Sequence, residues 1–219
     1  QYGVIQIHNF GTLNKLQGSV AKDGSATLAI DLNGLQTGID IRNERMRNFL
    51  FETNLLPMLY YNVKLDTSGF EAMATGSTAI KSLGGALTLH GVKKAINAEV
   101  LIVKTDANNV SVSTLEPVIV NSADFDLNAG IETLRTIANL THISNTVPVY
   151  FRLTFSRNGN AEVVTTPAQP AMPASLTGTN LLNQGLLTWQ DSSDNETGFL
   201  VRKLNALGAW ETLTSVEKD

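Results

Sequence analysis

The chain has 219 residues, 42% of them apolar and 16% charged, with a net charge of -4. That is ample for a packed core and the wrong sign of charge to gather a polyanion, which argues against nucleic acid as a partner. There is no cysteine, which excludes disulfides and thiolate metal sites, and no apolar run approaches the ~18 residues of a membrane-spanning helix.

The chain begins at Gln1 without an initiator Met. A processed or trimmed N-terminus is expected, a removed secretory signal being one explanation. In LAIDLNGL, residues 28–35, Leu28, Ile30 and Leu32 face one way, and Ala29, Asp31 and Asn33 the other. This is the period of a half-buried strand. Residues 43–51 change period: Met46, Phe49 and Leu50 stand at i, i+3 and i+4, which predicts a short amphipathic helix with those three inward. Residues 98–105, AEVLIVKT, and 110–120, VSVSTLEPVIV, read as strands. A second helix is predicted over 130–140, with Ile131, Leu134, Ile137 and Ala138 on one face. In VPVYFRLTF, residues 147–155, Val147, Val149, Phe151, Leu153 and Phe155 alternate with polar or exposed partners as one strand. Turn signals separate these elements: KDGS at 22–25, DTSG at 66–69, LGG at 83–85 and DANN at 106–109. Many short strands at this spacing predict an antiparallel barrel or sandwich.

TTPAQPAMPAS, residues 165–175, holds three of the six prolines at a spacing of three. It suits a semi-rigid polyproline spacer. The expected organisation is a domain over 1–156, a Pro-rich linker over 157–174 and a second, partial domain over 175–219. The last region has four strand-like pieces: SLTGT, GLLTWQD, GFLVRKL and AWETLTSV.

The stretch IRNERMRNFLFETNLLPMLYYNV, residues 41–63, carries Arg42, Arg45 and Arg47 beside Glu44 and Glu52. That balance is too even for a nucleic-acid arm and too narrow for a membrane-surface helix. Its arginines read as structural or rim groups, with Met46, Phe49 and Leu50 packing a core or closing a cavity. His8, His90 and His142 lack metal-ligand spacing, and a polar strand histidine is the commoner case. No nucleophile elbow, phosphate loop or EF-hand loop is present. Asp124 and Asp126, two apart, read as solvated or turn-forming. Trp189 reads as core of a short strand, and Trp210 as a turn-proximal ring. Nothing here amounts to a catalytic constellation, and the chain is read as non-enzymatic.

TGIDIRNERMRNFLFE at 37–52, followed by Pro57 and an aromatic strand, resembles the YceI-like family of bacterial lipocalin-like proteins. Three further stretches agree in order: GALTLHGVKKAI at 85–96, STLEPVIVNSADFDLNAGIETLR at 113–135 and NTVPVYFRLTF at 145–155. The resemblance covers about residues 1–156. It implies an all-β fold: an antiparallel lipocalin-like β-barrel with two short helices. It further implies an apolar interior that binds an isoprenoid lipid, such as ubiquinone or another isoprenoid quinone or polyprenyl phosphate, with no covalent cofactor. Periplasmic or secreted bacterial location is implied as well. The candidate contacts are Met46, Phe49 and Leu50, then Ile131, Leu134 and Ala138, then Val149, Phe151 and Leu153. One departure stands out. Family members begin with a further strand, and Gln1–Phe10 resembles the one after it, so an edge of the barrel is expected to be open.

TWQDSSDNETGFLVRK in the tail resembles the first half of a fibronectin type III domain, so a partial β-sandwich is expected after the barrel. Incomplete ends imply a segment of a longer secreted multidomain protein. The alternative reading is a structural or adhesive extracellular module whose barrel is filled by side chains and which self-associates into fibres through an open edge.

Overall fold

The computed structural model describes residues 2–7, 16–66, 69, 72–157, 167–168, 170–181, 184–204 and 210–218. His8 and the flanks of the first expected strand lie outside them, as does most of 157–166 of the expected linker. The chain forms two compact units, Gln1–Thr166 and Pro167–Asp219.

The first unit is a closed antiparallel barrel of eight strands. They are β1 (Tyr2–Ile7), β2 (Leu16–Val20), β3 (Ser25–Asp31), β4 (Met58–Lys64), β5 (Thr78–Leu89), β6 (Val92–Lys104), β7 (Asn109–Thr114) and β10 (Arg152–Arg157). The open edge expected from the missing leading strand is not there. Tyr2 pairs with Arg157 on one side and Val20 on the other, so β1 closes the sheet. The strand following the expected gap thus does the closing itself.

Between β7 and β10 the chain leaves the barrel wall. It forms the small ladder of β8 (Val118–Asn121) with β9 (Thr146–Val149), and helix α2 (Asn128–Ile137) between them. The alternation at 110–120 and at 147–155 therefore does not mark single strands. Each run breaks, at 115–117 and at Tyr150–Phe151. Leu28–Leu35 also divides, since β3 ends at Asp31 and Leu32–Gly34 turns as a 3-10 helix capped by the Asp31 carboxylate.

β5 and β6 form the longest hairpin, twelve facing pairs from Thr78↔Val103 to Leu89↔Val92. Its two-residue turn is His90–Gly91, with φ of +51° and +74°. Positive φ at both central residues matches the twist of the flanking strands. The expected turn at LGG, 83–85, is instead the middle of β5. Gly85 is required there by contact, because a Cβ would lie 2.6 Å from the Asn62 carbonyl and 2.7 Å from the Tyr61 ring.

The KDGS turn is held by Asp23. Its carboxylate accepts from Lys64 Nζ at 2.7 Å, Ser25 N at 3.0 Å and Ser25 Oγ at 2.9 Å. These bonds, Lys64 foremost, hold the carboxyl well below the usual carboxylate range. A depressed folded-state value stabilises the fold above the unfolded carboxylate's pKa of about 4, and that contribution is lost as pH falls toward the folded value. Asp23→Asn should therefore lower the urea midpoint at pH 7, and the gap from wild type should shrink at pH 3.

Helix α1 (Asp40–Arg45) continues as a π turn over Met46–Leu50, where the Phe51 amide donates to the Met46 carbonyl at 2.9 Å. Wider winding rotates the faces relative to an α-helix. Met46, Phe49 and Leu50 therefore do not share one inward stripe. Leu50 and Phe51 pack on the core, whereas Phe49 is 45% exposed.

The arginine stretch is a fold element. No side chain caps α1 at Ile39; side chains of the helix instead tie it to the preceding loop. Asn43, 2% exposed, accepts from the Thr37 amide at 2.8 Å and hydroxyl at 2.6 Å, and donates to Gln36 at 3.0 Å. Arg42 donates to the Thr37 hydroxyl at 2.8 Å and carbonyl at 2.5 Å. Gly38 takes the positive φ, +79°, that lets the loop turn back. Asn43→Ala leaves the half-buried Thr37 amide and hydroxyl without their acceptor and should cost about 1 kcal/mol in chemical denaturation.

The second unit consists of two hairpins: β11 (Ala174–Leu181) with β12 (Gln184–Gln190), and β13 (Gly198–Leu204) with β14 (Trp210–Glu217). The Trp189 ring meets Phe199 with centroids 5.3 Å apart, joining β12 to β13. Glu196 accepts from the Ser193 hydroxyl at 2.5 Å and pairs with Lys218 at 3.2 Å; these contacts, Ser193 first, lower its pKa to about 2. The Trp210 side chain lies outside the described ones.

Candidate functional site

Residues directly opposite in an antiparallel ladder share a face, so the register fixes which side chains enter the barrel. On β6 the even positions are inward: Ala98, Val100 and Ile102 are buried, Val100 fully, while Asn97 and Glu99 are exposed. Through Ile102↔Val112 and Val112↔Leu153, inward facing passes to Val110 and Val112 on β7 and to Leu153 and Phe155 on β10. In the other direction it passes through Ala98↔Leu83 to the odd positions of β5, then through Leu87↔Tyr61 and Tyr61↔Leu28 to β4 and β3.

The two walls differ. Ala98, Val100, Ile102 and Val110 are buried and packed with Phe151, Val118 and Met73, and Leu153 is buried on β10. Leu28, Leu59, Tyr61 and Val63 of the other wall point inward as well, yet each keeps part of its surface exposed; Leu59 and Tyr61 pack at the plugged end, and Leu83, also partly exposed, packs against the buried wall. An inward side chain that stays accessible marks unfilled space beside it. One end is plugged: Leu32, Leu87, Leu89, Phe125 and Leu127 are buried together, with Leu50 and Phe51 from the π turn and its exit packed against them.

Three inward rows run across β3, β4 and β5. Nearest the plug stand Ile30 and Leu59. Next come Leu28, Tyr61 and Leu87. The third row is Ala26, Val63 and Gly85. Side-chain volume thus falls away from the plug. Tyr61 lies on the boundary, its ring over Gly85 and its hydroxyl donating to the Leu83 carbonyl at 3.0 Å. Burial pushes the Tyr61 hydroxyl pKa up, so the group stays neutral. The wall carries no ionised group in these rows and suits an uncharged chain.

The nine residues proposed from sequence are spread over this frame. Leu153 is inward on β10, and Phe151 packs against the buried wall. Leu50 belongs to the plug. Met46, Ile131 and Leu134 are half-buried on the helices, Ala138 is exposed beyond the end of α2, and Phe49 is on the surface. Val149 lies on β9, outside the barrel ladder. The accessible wall of β3, β4 and β5 was not picked out. Its signal is the alternation Leu59, Tyr61, Val63 in MLYYNV, which gives a period but not which of two tyrosines points inward.

His90 is buried at the hairpin turn with its Nε2 2.9 Å from Glu52 Oε2, and His142 is exposed. Asp126 takes a left-handed φ of +56° after the 3-10 turn containing Asp124, a turn-forming role. Among the described residues there is no group of three His, Asp or Glu that could hold a metal ion. No helix among them is long and apolar enough to cross a membrane.

The family model for the YceI-like domain matches residues 2–155. Among solved structures, a polyisoprenoid binding domain from Saccharophagus degradans implicated in plant cell wall breakdown is 38% identical. It aligns over 67% of this chain and 84% of its own, with a TM-score of 0.65. The Campylobacter jejuni YceI protein is 16% identical, over 70% and 88% of the two chains, with a TM-score of 0.51. Burkholderia cenocepacia BcnA is 17% identical, over 66% and 86%, with a TM-score of 0.50. The latter two share the fold. No curated protein matches the chain.

Proposed function

Because the chain belongs to the YceI-like family, we propose that its barrel holds a long isoprenoid lipid as a carrier or sequestering module, without chemical turnover. The observation that carries this reading is the accessible apolar wall of β3, β4 and β5 facing a buried one. The Saccharophagus relative, named for polyisoprenoid binding, supports the ligand class. Each CH₂ moved from water to such a wall contributes roughly 0.8 kcal/mol, so a long tail binds without polar contacts. The head group, a quinone ring or a phosphate, would remain at the end away from the plug. The contacts would come from Leu28, Leu59, Tyr61, Val63 and Leu83, with Leu153 and Phe151 opposite, while Leu50 would support the plug from the helix side. Met46, Ile131 and Leu134 would support the helices that close that end.

In this reading the protein is bacterial and periplasmic or secreted, and the hairpins of the second unit are part of a fibronectin type III-like domain in a longer multidomain protein. Native mass spectrometry of protein purified from its own source, followed by organic extraction, tests it. A stoichiometric isoprenoid is the expected result. Bare protein that resists loading with ubiquinone and with polyprenyl phosphate would overturn it in favour of a structural module with a filled barrel.

A further inference from the structure

We propose that Tyr61 sets the depth to which an isoprenoid tail enters the barrel and thereby selects its length. The inference rests on the binding reading above and concerns a residue that reading leaves as one wall group among several.

The inward rows decide the position. Toward the plug the neighbours are Leu87 in the same row and Ile30 and Leu59 in the next, and behind them Leu32, Leu89, Phe125 and Leu127 are buried together. Away from it the row is Ala26, Val63 and Gly85, one of them with no side chain. A flexible chain advancing from the small row therefore meets the Tyr61 ring first. The ring is held from two sides. It covers Gly85 so closely that a Cβ there would lie 2.7 Å from the ring carbons, and its hydroxyl is tied to the Leu83 carbonyl at 3.0 Å. β4 and β5 are paired only from Tyr60↔Thr88 to Val63↔Gly85, so Leu83 lies just past the paired stretch. The phenol takes up a carbonyl there. A side chain anchored at its far end is a firm stop, whereas an unanchored leucine could swing aside.

Removing the ring leaves a space about the size of one isoprene unit, bounded by Leu87 and the plug. The test is competition: an equimolar mixture of isoprenoid quinones of graded tail length is offered to each protein, and the bound species are read by native mass spectrometry. Tyr61→Ala and the more conservative Tyr61→Leu should both shift the most populated adduct to a tail longer by about one unit. Tyr61→Phe keeps the ring but loses its tie to the Leu83 carbonyl, and should shift the profile in the same direction by less. In wild type, a quinone with a photoreactive terminal isoprene should label residues 58–64 or 84–87, a readout that needs no variant. Binding with the same length profile in all four proteins, or labelling confined elsewhere, overturns the depth gauge alone. Wild-type protein that takes up no member of the series overturns the binding reading and the gauge with it.

Discussion

Phe125→Ala is expected to cost the first unit about 4 kcal/mol, the middle of the range for emptying a large aromatic site. Phe125 is 1% exposed, the largest of the fully buried side chains among the described residues. It belongs to a 3-10 turn, Ser122–Phe125, and is surrounded by Leu32, Leu87, Leu89 and Leu127, contributed by separate segments. Those segments are held apart by their own ladders and turns, so they cannot collapse into the void. The Asn121 side chain accepts from the Ala123 amide at 3.0 Å, and the Leu127 amide donates to the Ser122 carbonyl at 3.0 Å, which fixes the turn from both ends. Urea unfolding followed by far-UV circular dichroism measures the loss. Phe125→Leu, which refills most of the volume, should recover more than half of it. A loss below about 1 kcal/mol for alanine would mean that the plug is not packed as described.

The second large effect falls on a glycine within a helix. Gly130→Ala ordinarily gains stability, because alanine is the better helix former by about 1 kcal/mol. Here the sign reverses. A Cβ on residue 130 would sit 2.5 Å from the Phe49 carbonyl oxygen and 2.8 Å from the Leu50 Cα. Both are backbone atoms and cannot rotate away. The helices must separate, which lifts Leu50 from the plug, and overpacking of this kind costs about 3 kcal/mol. A lowered denaturation midpoint with the helical signal largely retained is the expected result. An unchanged or raised midpoint would show that α2 and the π turn do not approach this closely.

Much of the barrel was legible because period-2 alternation survives wherever a strand has one wet and one apolar face. It failed where the chain left the wall. In VSVSTLEPVIV the valines at 110, 112, 118 and 120 fall in one phase and invite reading a single strand, but Thr114, Glu116 and Pro117 interrupt it, and the pairing shows that β7 ends at Thr114 and Val118 begins another ladder. The helix over 43–51 was legible as a helix and misleading as a face, since a π turn leaves no mark in residue spacing. Gly84–Gly85 read as a turn because a glycine pair is a breaker in isolation. It is a strand here because a tyrosine twenty-four positions earlier lies over it. The candidate site was the least legible part. Alternation says that Leu59, Tyr61 and Val63 share a face, while inside or outside is decided by register against β3 and β5. The family resemblance supplied the ligand class, and no motif of polar residues marks a wall whose whole chemistry is apolar surface.

The seam between β1 and β10 carries a consequence for the order of assembly. The long β5–β6 hairpin is local in sequence, so its closure entropy is small and it can form early. The seam joins Tyr2 to Arg157, the two extremes of the unit, and closes the largest loop in it. During synthesis the first strand has no partner on that side until the last one has emerged, and its hydrogen-bonding edge waits unpaired throughout. The ring is therefore completed by its oldest and youngest residues, and a truncation just before Arg152 removes both pairings of β10, to β1 and to β7, and leaves the barrel open between those two strands.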